Sequence, residues 1–222
     1  MRRFFLIISL FSLGVLPAQT QKINAPVTIR GVVGIPRAIS SQQFRTCFAG
    51  VYEANLSVNA RLFRNFFVGL GYQNTGFRNA EMFKYELFNA KVPYKTQLMG
   101  HAPFLKLGYD QFFEKTYVSY SLNTGFMLAG YTNVNNDTSA ANRPFVSQKF
   151  SAPYLQPEIA LNFLADRSLN FSIILSYTTL FYKYDARAPR FAAFGDVAEK
   201  KNRYFMGWLN IGFGVNILLG KH

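Results

Sequence analysis

The chain has 222 residues, half of them hydrophobic and 17% aromatic, yet its mean hydropathy is close to zero, so apolar and polar residues are finely interleaved. That interleaving excludes a helical membrane bundle, and 24 Phe with 13 Tyr supply far more buryable surface than a disordered chain contains. A formal charge of +13, from 24 basic against 11 acidic residues, favours an acidic partner, either nucleic acid or anionic lipid and lipopolysaccharide.

The first segment chooses between those partners. Arg2 and Arg3 precede a 13-residue apolar run from Phe4 to Leu16, followed by Pro17, Ala18 and Gln19. The run is too short to span a bilayer as a helix and reads as a secretory signal peptide over residues 1–18, with the mature chain beginning at residue 19. Export leaves nucleic acid without a shared compartment, so the expected location is the cell outer membrane. Cys47 is the lone cysteine and cannot form an internal disulfide, so the fold is held without staples.

Strand patterning then fills the chain. A first strand is expected at Pro26–Ile35, followed by a polar loop at Pro36–Gln43. From Thr46 to Arg61 the residues split by parity: Phe48, Tyr52, Ala54, Leu56, Val58 and Ala60 form a greasy set, opposite Glu53, Asn55, Ser57, Asn59 and Arg61. After a short turn at Leu62–Asn65, Phe66, Val68, Leu70 and Tyr72 oppose Gly69, Gly71, Gln73 and Thr75. Asn79–Lys95 reads as a long loop and Gln97–Tyr109 as a weak strand, because Pro103 demands an edge-like or bulged site. A turn at Asp110–Lys115 leads to Val118, Tyr120, Leu122, Phe126 and Leu128, opposite Ser119, Ser121, Asn123 and Gly125. Beyond a loop at Asn133–Ser147, a turn at Ala165–Ser168 and a loop at Asp185–Asn202, the last strand alternates most cleanly. There Leu209, Ile211, Phe213, Val215, Ile217 and Leu219 oppose Trp208, Asn210, Gly212, Gly214 and Asn216.

Large apolar residues on one face and Gly, Ser and Asn on the other suit a barrel whose greasy side meets lipid, since such small polar residues pack a narrow lumen and solvate poorly as a surface. A secreted soluble β-protein is the competing reading of the same alternation. Eight segments joined alternately by long loops and short turns define an all-β, eight-stranded antiparallel transmembrane β-barrel over residues 19–222, with both termini on the short-turn side. Aromatic residues near strand ends, among them Tyr72, Phe77, Tyr109, Phe112, Phe113, Tyr131, Tyr154, Phe181, Tyr182, Tyr184, Tyr204 and Phe205, are expected to form girdles at headgroup depth.

The signal segment, GVYEANLSVNARLFRNFFVGLGY and the terminal GWLNIGFGVNILLGKH resemble the small outer-membrane β-barrel proteins of Gram-negative bacteria, in particular OmpX-like and PorT-like members of the broad outer-membrane β-barrel families. The resemblance covers nearly the whole mature chain. It implies a porin-like wall and an envelope role, including an accessory part in a secretion assembly. The chain departs from the usual pattern in ending Gly220–Lys221–His222 instead of in an aromatic residue.

Candidate chemistry is sparse. Arg30, Glu53, Lys106 and Glu158 fall on the inward set near mid-strand, with Arg61 lower, and two basic plus two acidic groups balance one another. A proton relay, a gated ion path or an acid/base pair would use such residues, but a lumen this narrow favours a plug of ion pairs. His101 falls on the outward face near the loop end, where a lipid A-modifying enzyme would place a base, yet no Ser stands two residues away. No metal or nucleotide motif occurs, so no cofactor is expected. Fourteen basic against six acidic residues on the long-loop side carry +8 of the mature chain's +11, with Arg187, Arg190, Lys200, Lys201 and Arg203 as a basic loop surface. The expectation is a monomeric, non-enzymatic barrel that meets outer-membrane lipid and lipopolysaccharide or an envelope or secretion protein; an enzyme on lipid A and a small passive channel are the alternatives.

Overall fold

The computed structural model describes residues 26–79, 83–87, 90–113, 116–135, 144–166, 168–184 and 205–220. The expected leader and the loop cluster Arg187, Arg190, Lys200, Lys201 and Arg203 lie outside the described residues, as does Tyr204. Nine strands occur among those described: β1 (Val27–Ser40), β2 (Phe48–Phe63), β3 (Phe66–Asn79), β4 (Phe83–Leu87), β5 (Ala90–Phe112), β6 (Thr116–Asn135), β7 (Pro144–Leu164), β8 (Leu169–Leu180) and β9 (Met206–Leu219). A short helix α1 (Gln42–Cys47) follows β1. Every neighbouring pair is antiparallel. β1 pairs with both β2 and β9, and β3 pairs with β5, which closes eight of the strands into a barrel with no free edge. β4 stands apart as a hairpin arm on the first residues of β5.

Side chains sort as lipid exposure requires. Leu56, Leu70, Phe126, Ile211 and Phe213 are among the most exposed residues, whereas Glu53, Gln73, Asn123, Gln156, Asn162 and Asn210 are fully buried in the lumen. Leaving so many large side chains in water would forfeit about 1.5–3 kcal/mol each relative to burial, so this wall is built for an apolar surrounding.

Several expectations need correction. β1 runs to Ser40, through the expected loop: its ladder with β2 stops at Gly34, before Pro36 removes a donor, while its ladder with β9 continues to Ser40. The chain then enters α1, whose first turn is capped by Ser41, with the Phe44 N–H donating to its Oγ at 3.5 Å. The expected loop Asn79–Lys95 contains β4 and the start of β5, and β5 lies inside the sheet without a bulge. Pro103 is accommodated because the β5–β6 ladder skips Ala102 and Pro103 and resumes at Phe104 in unchanged register. Asp110 belongs to β5 and is buried, not turned out in a hairpin. A bulge between Gly50 and Tyr52 reverses the parity of β2, so Phe48 points into the barrel instead of joining Leu56 and Val58 outside.

Candidate functional site

Among the described residues the lumen gathers most of the buried charged and polar groups, and it fills in layers. Nearest the short turns, Arg61 pairs with Asp110 at 3.1 Å and lies over the Phe112 ring, 5.1 Å from its centroid. Ser119 Oγ donates to Asp110 at 2.7 Å, and Asn162 Nδ2 donates to Ser119 at 2.9 Å and to the Tyr117 carbonyl at 3.2 Å. Asn216 and Asn170 extend the layer, donating to Asn162 Oδ1 and to the Tyr117 hydroxyl.

One layer up, Glu158 accepts from Lys106 at 2.9 Å and from Arg30 at 3.1 Å, with Ser121 and Asn123 completing its shell. Arg30, Lys106 and Glu158 are all nearly inaccessible, so two buried cations share one carboxylate, and Arg30 Nε and Nη2 lack a hydrogen-bond partner among the described residues. Glu53 sits in a separate layer. Its carboxylate accepts from Gln156 Nε2 at 2.8 Å, Trp208 Nε1 at 2.7 Å and Asn210 Nδ2 at 3.1 Å. The four residues expected as one cluster are therefore divided, three in an ion-paired triad and Glu53 held by neutral donors. Asn123 links the two layers by donating to both Gln156 and Glu158.

At the loop end the filling turns aromatic. Phe44 and Cys47 from α1 insert among Phe48, Phe77, Tyr131, Tyr154, Tyr184 and Trp208. Phe77 meets Phe44 and Trp208 edge-on, at centroid distances of 5.2 and 5.4 Å, and Phe48 meets Tyr184 edge-on at 6.1 Å. Burial pushes the Cys47 thiol up to about 11, with a hydrogen bond to Tyr184 pulling weakly the other way, so the thiol is inert at neutral pH. Gaps in the rows of side chains are filled across strands: the Phe104 ring lies over Gly71 and the Phe67 ring over Gly108, each pair directly opposed between β3 and β5. A cavity of about 30 Å³ beside Arg30 and Asn59 has room for only about two waters.

No family model and no curated protein sequence matches the chain. Among solved structures, Neisserial surface protein A is similar at a TM-score of 0.50 and 10% identity, over 87% of this chain and 97% of that one. Ail, the attachment invasion locus protein of Yersinia pestis, is similar at 0.45 and 12%, over 86% and 97%. The N-terminal β-barrel domain of Pseudomonas aeruginosa OprF follows at 0.42 and 12%, over 86% and 97%. The fold is that of a small outer-membrane β-barrel.

Within this barrel the aromatic girdles need correction. Tyr72, Tyr109, Phe113 and Phe181 do face outward, but Phe77, Phe112, Tyr131, Tyr154 and Tyr184 point into the lumen. Their parity is the signal that separates the two groups: Phe77 lies in step with Gln73 and Thr75, and Tyr154 in step with Gln156 and Glu158. His101 is exposed on the outer wall. Its Nδ1 lies 2.8 Å from the Tyr72 hydroxyl and 2.9 Å from Asn74 Nδ2, while the Tyr52 hydroxyl donates to Asn74 Oδ1 at 2.6 Å. Neither a serine nor a carboxylate is hydrogen-bonded to His101 among the described residues. Gln156, Trp208, Asn210 and Asp110 carry much of the lumen network; parity does not say which of the uncharged inward residues will meet, and Asp110 reads in the sequence as the start of a turn instead of as the end of a strand.

Proposed function

We propose that this chain is an integral protein of the cell outer membrane, exported by residues 1–18 and inserted as the barrel of residues 19–222, with a structural or interaction role at the cell surface. That role covers envelope integrity, lipopolysaccharide contact, adhesion or accessory service in a secretion assembly. The observation that carries it is the filled lumen. Ion pairs at Glu158, the carboxylate shell of Glu53 and the aromatic plug cross the interior one above another, so no route serves a solute or brings a substrate to those carboxylates. What remains for interaction is the outside of the barrel and its loops. The test is planar-bilayer recording with the purified protein, alongside its gel mobility before and after boiling. The expected outcome is a heat-modifiable band and no conductance above the bare bilayer, and a steady, protein-dependent conductance would overturn the closed-lumen reading. Mild crosslinking in cells separates the roles, because recovery with other envelope proteins supports an assembly and recovery alone supports a stand-alone surface protein.

A further inference from the structure

The outer wall carries one large furrow that the lumen chemistry does not use. It has a volume of about 720 Å³ and runs between two adjacent outward rows of side chains. Phe171, Val215 and Leu56 belong to one row, Ile173 and Phe213 to the other. Its floor deepens where both rows lose their bulk, at Gly31 and Ala54 on neighbouring strands. Because the rows follow the hydrogen-bonding direction, the furrow crosses from β7 through β8, β9, β1 and β2 to β3. Five strand spacings of about 4.8 Å make it about 24 Å long, more than enough to take one extended acyl chain along part of its length. It also climbs the wall: Phe163 at its β7 end is one residue from the short-turn end of that strand, whereas Asn74 at its β3 end lies eight residues above Phe66.

The upper end of the furrow is polar. Tyr72 and Asn74 both line it, and both contact His101 Nδ1 on the adjacent strand. With the hydroxyl and the amide donating to Nδ1, the ring proton sits on Nε2, which has no protein partner among the described residues. Four residues farther toward the loops on the same outward face, Arg78 is exposed. A greasy trough leading to a free N–H and then to a guanidinium matches the order of groups in a lipid: acyl chain, ester or amide carbonyl, phosphate.

We propose that this furrow seats one acyl chain of an anionic phosphorylated lipid of the outer leaflet, with His101 Nε2 donating to the lipid at the chain–headgroup junction and Arg78 meeting its phosphate. The inference rests on the membrane placement given under Proposed function, since only that orientation puts the loop end of the furrow in the outer leaflet. Gly31 supplies the sharpest probe. A Cβ added there meets nothing within 4 Å, so Gly31→Leu fills the furrow without disturbing the barrel; Ala54→Phe is a second filling variant, at a lining residue on the neighbouring strand.

The experiment is native mass spectrometry of the full chain purified in mild detergent and incubated with lipid A or with phosphatidylethanolamine. Wild type is expected to hold one lipid A, at fivefold or greater occupancy over Gly31→Leu or Ala54→Phe. An Asn74→Ala/His101→Ala variant should keep a bound lipid but lose the preference for lipid A severalfold. Equal occupancy in wild type and both furrow-filled variants, or equal retention of the two lipids by wild type, overturns the site. Gel heat-modifiability is read on every variant. A barrel that shifts on boiling yet shows no furrow dependence sinks the lipid seat alone, and a wild-type chain that shows no shift sinks the membrane reading beneath it.

Discussion

The lower and upper lumen solve the same packing problem with opposite chemistry. Between Asp110 and Glu53 the interior is hydrogen-bonded and charged, while from Trp208 to Tyr184 it is filled mainly by aromatic rings. The outer wall changes in the reverse sense. On β3, Leu70 and Tyr72 face out where Gln73 and Thr75 face in, and a few residues on Arg78 faces out where Phe77 faces in. On β5, Gln97 is exposed beside buried Leu98, whereas lower down Leu105 and Leu107 are exposed beside buried Lys106. The inside-out pattern thus holds only over the height at which the wall meets lipid. Above it, the strands return to the arrangement of a water-soluble protein, with an apolar core inside and charge outside. The crossover falls at Asn74 and His101, the level of the polar end of the outer furrow.

The largest effect that could break this contrast is removal of a charge from the lower layer. Glu158→Gln leaves Arg30 and Lys106 buried without a counter-charge and is expected to cost about 3–5 kcal/mol in denaturant unfolding from detergent or bilayer, because the uncompensated charges have no water to retreat to. A cost near that of an exposed ion pair would mean that water reaches the triad, and the lower lumen would not be packed.

A middle-sized effect is expected where the two halves touch. Trp208 belongs to the aromatic plug but donates its indole N–H to Glu53 at 2.7 Å. Trp208→Phe keeps an aromatic ring and removes that donor, with an expected cost of about 2 kcal/mol, typical of a hydrogen bond to a charged group. No change in unfolding would show that plug and polar layers are energetically independent.

The smallest effect is on reactivity alone. Cys47 in the plug should resist maleimide in the folded barrel at pH 7.5 and label fully after boiling, with no change in stability needed to see it. Burial raises its thiol to about 11, so the reactive thiolate is scarce at pH 7.5 and grows only as pH approaches that value. Rapid labelling of the cold, unboiled protein would show that α1 leaves the barrel mouth and that the upper lumen opens.

The period-2 alternation at Leu56–Arg61, Phe66–Thr75 and Leu209–Leu219 was enough to read an inside-out barrel, because side chains on a strand must alternate and the two sets differ so much in size and polarity. Parity likewise put Arg30, Glu53, Lys106 and Glu158 on one face. Parity has no information on height or on which strands meet across the lumen, so the division of Glu53 from the triad was invisible. The inward turn of Tyr131 and Tyr184 was missed for a related reason: an aromatic residue near a strand end suits a girdle or a plug equally well until its neighbours are known.

Local pattern therefore decided that the chain is built of alternating strands, which face their mid-strand residues present and that the apolar face needs a nonpolar surrounding, since all three follow from backbone geometry and side-chain hydrophobicity over a few residues. The bulge at Gly50, the insertion of α1, the layering of charges and the furrow above Gly31 were decided only by closure of the barrel. Closure sets the stagger between strands, and that stagger determines which distant side chains share one level and are able to touch.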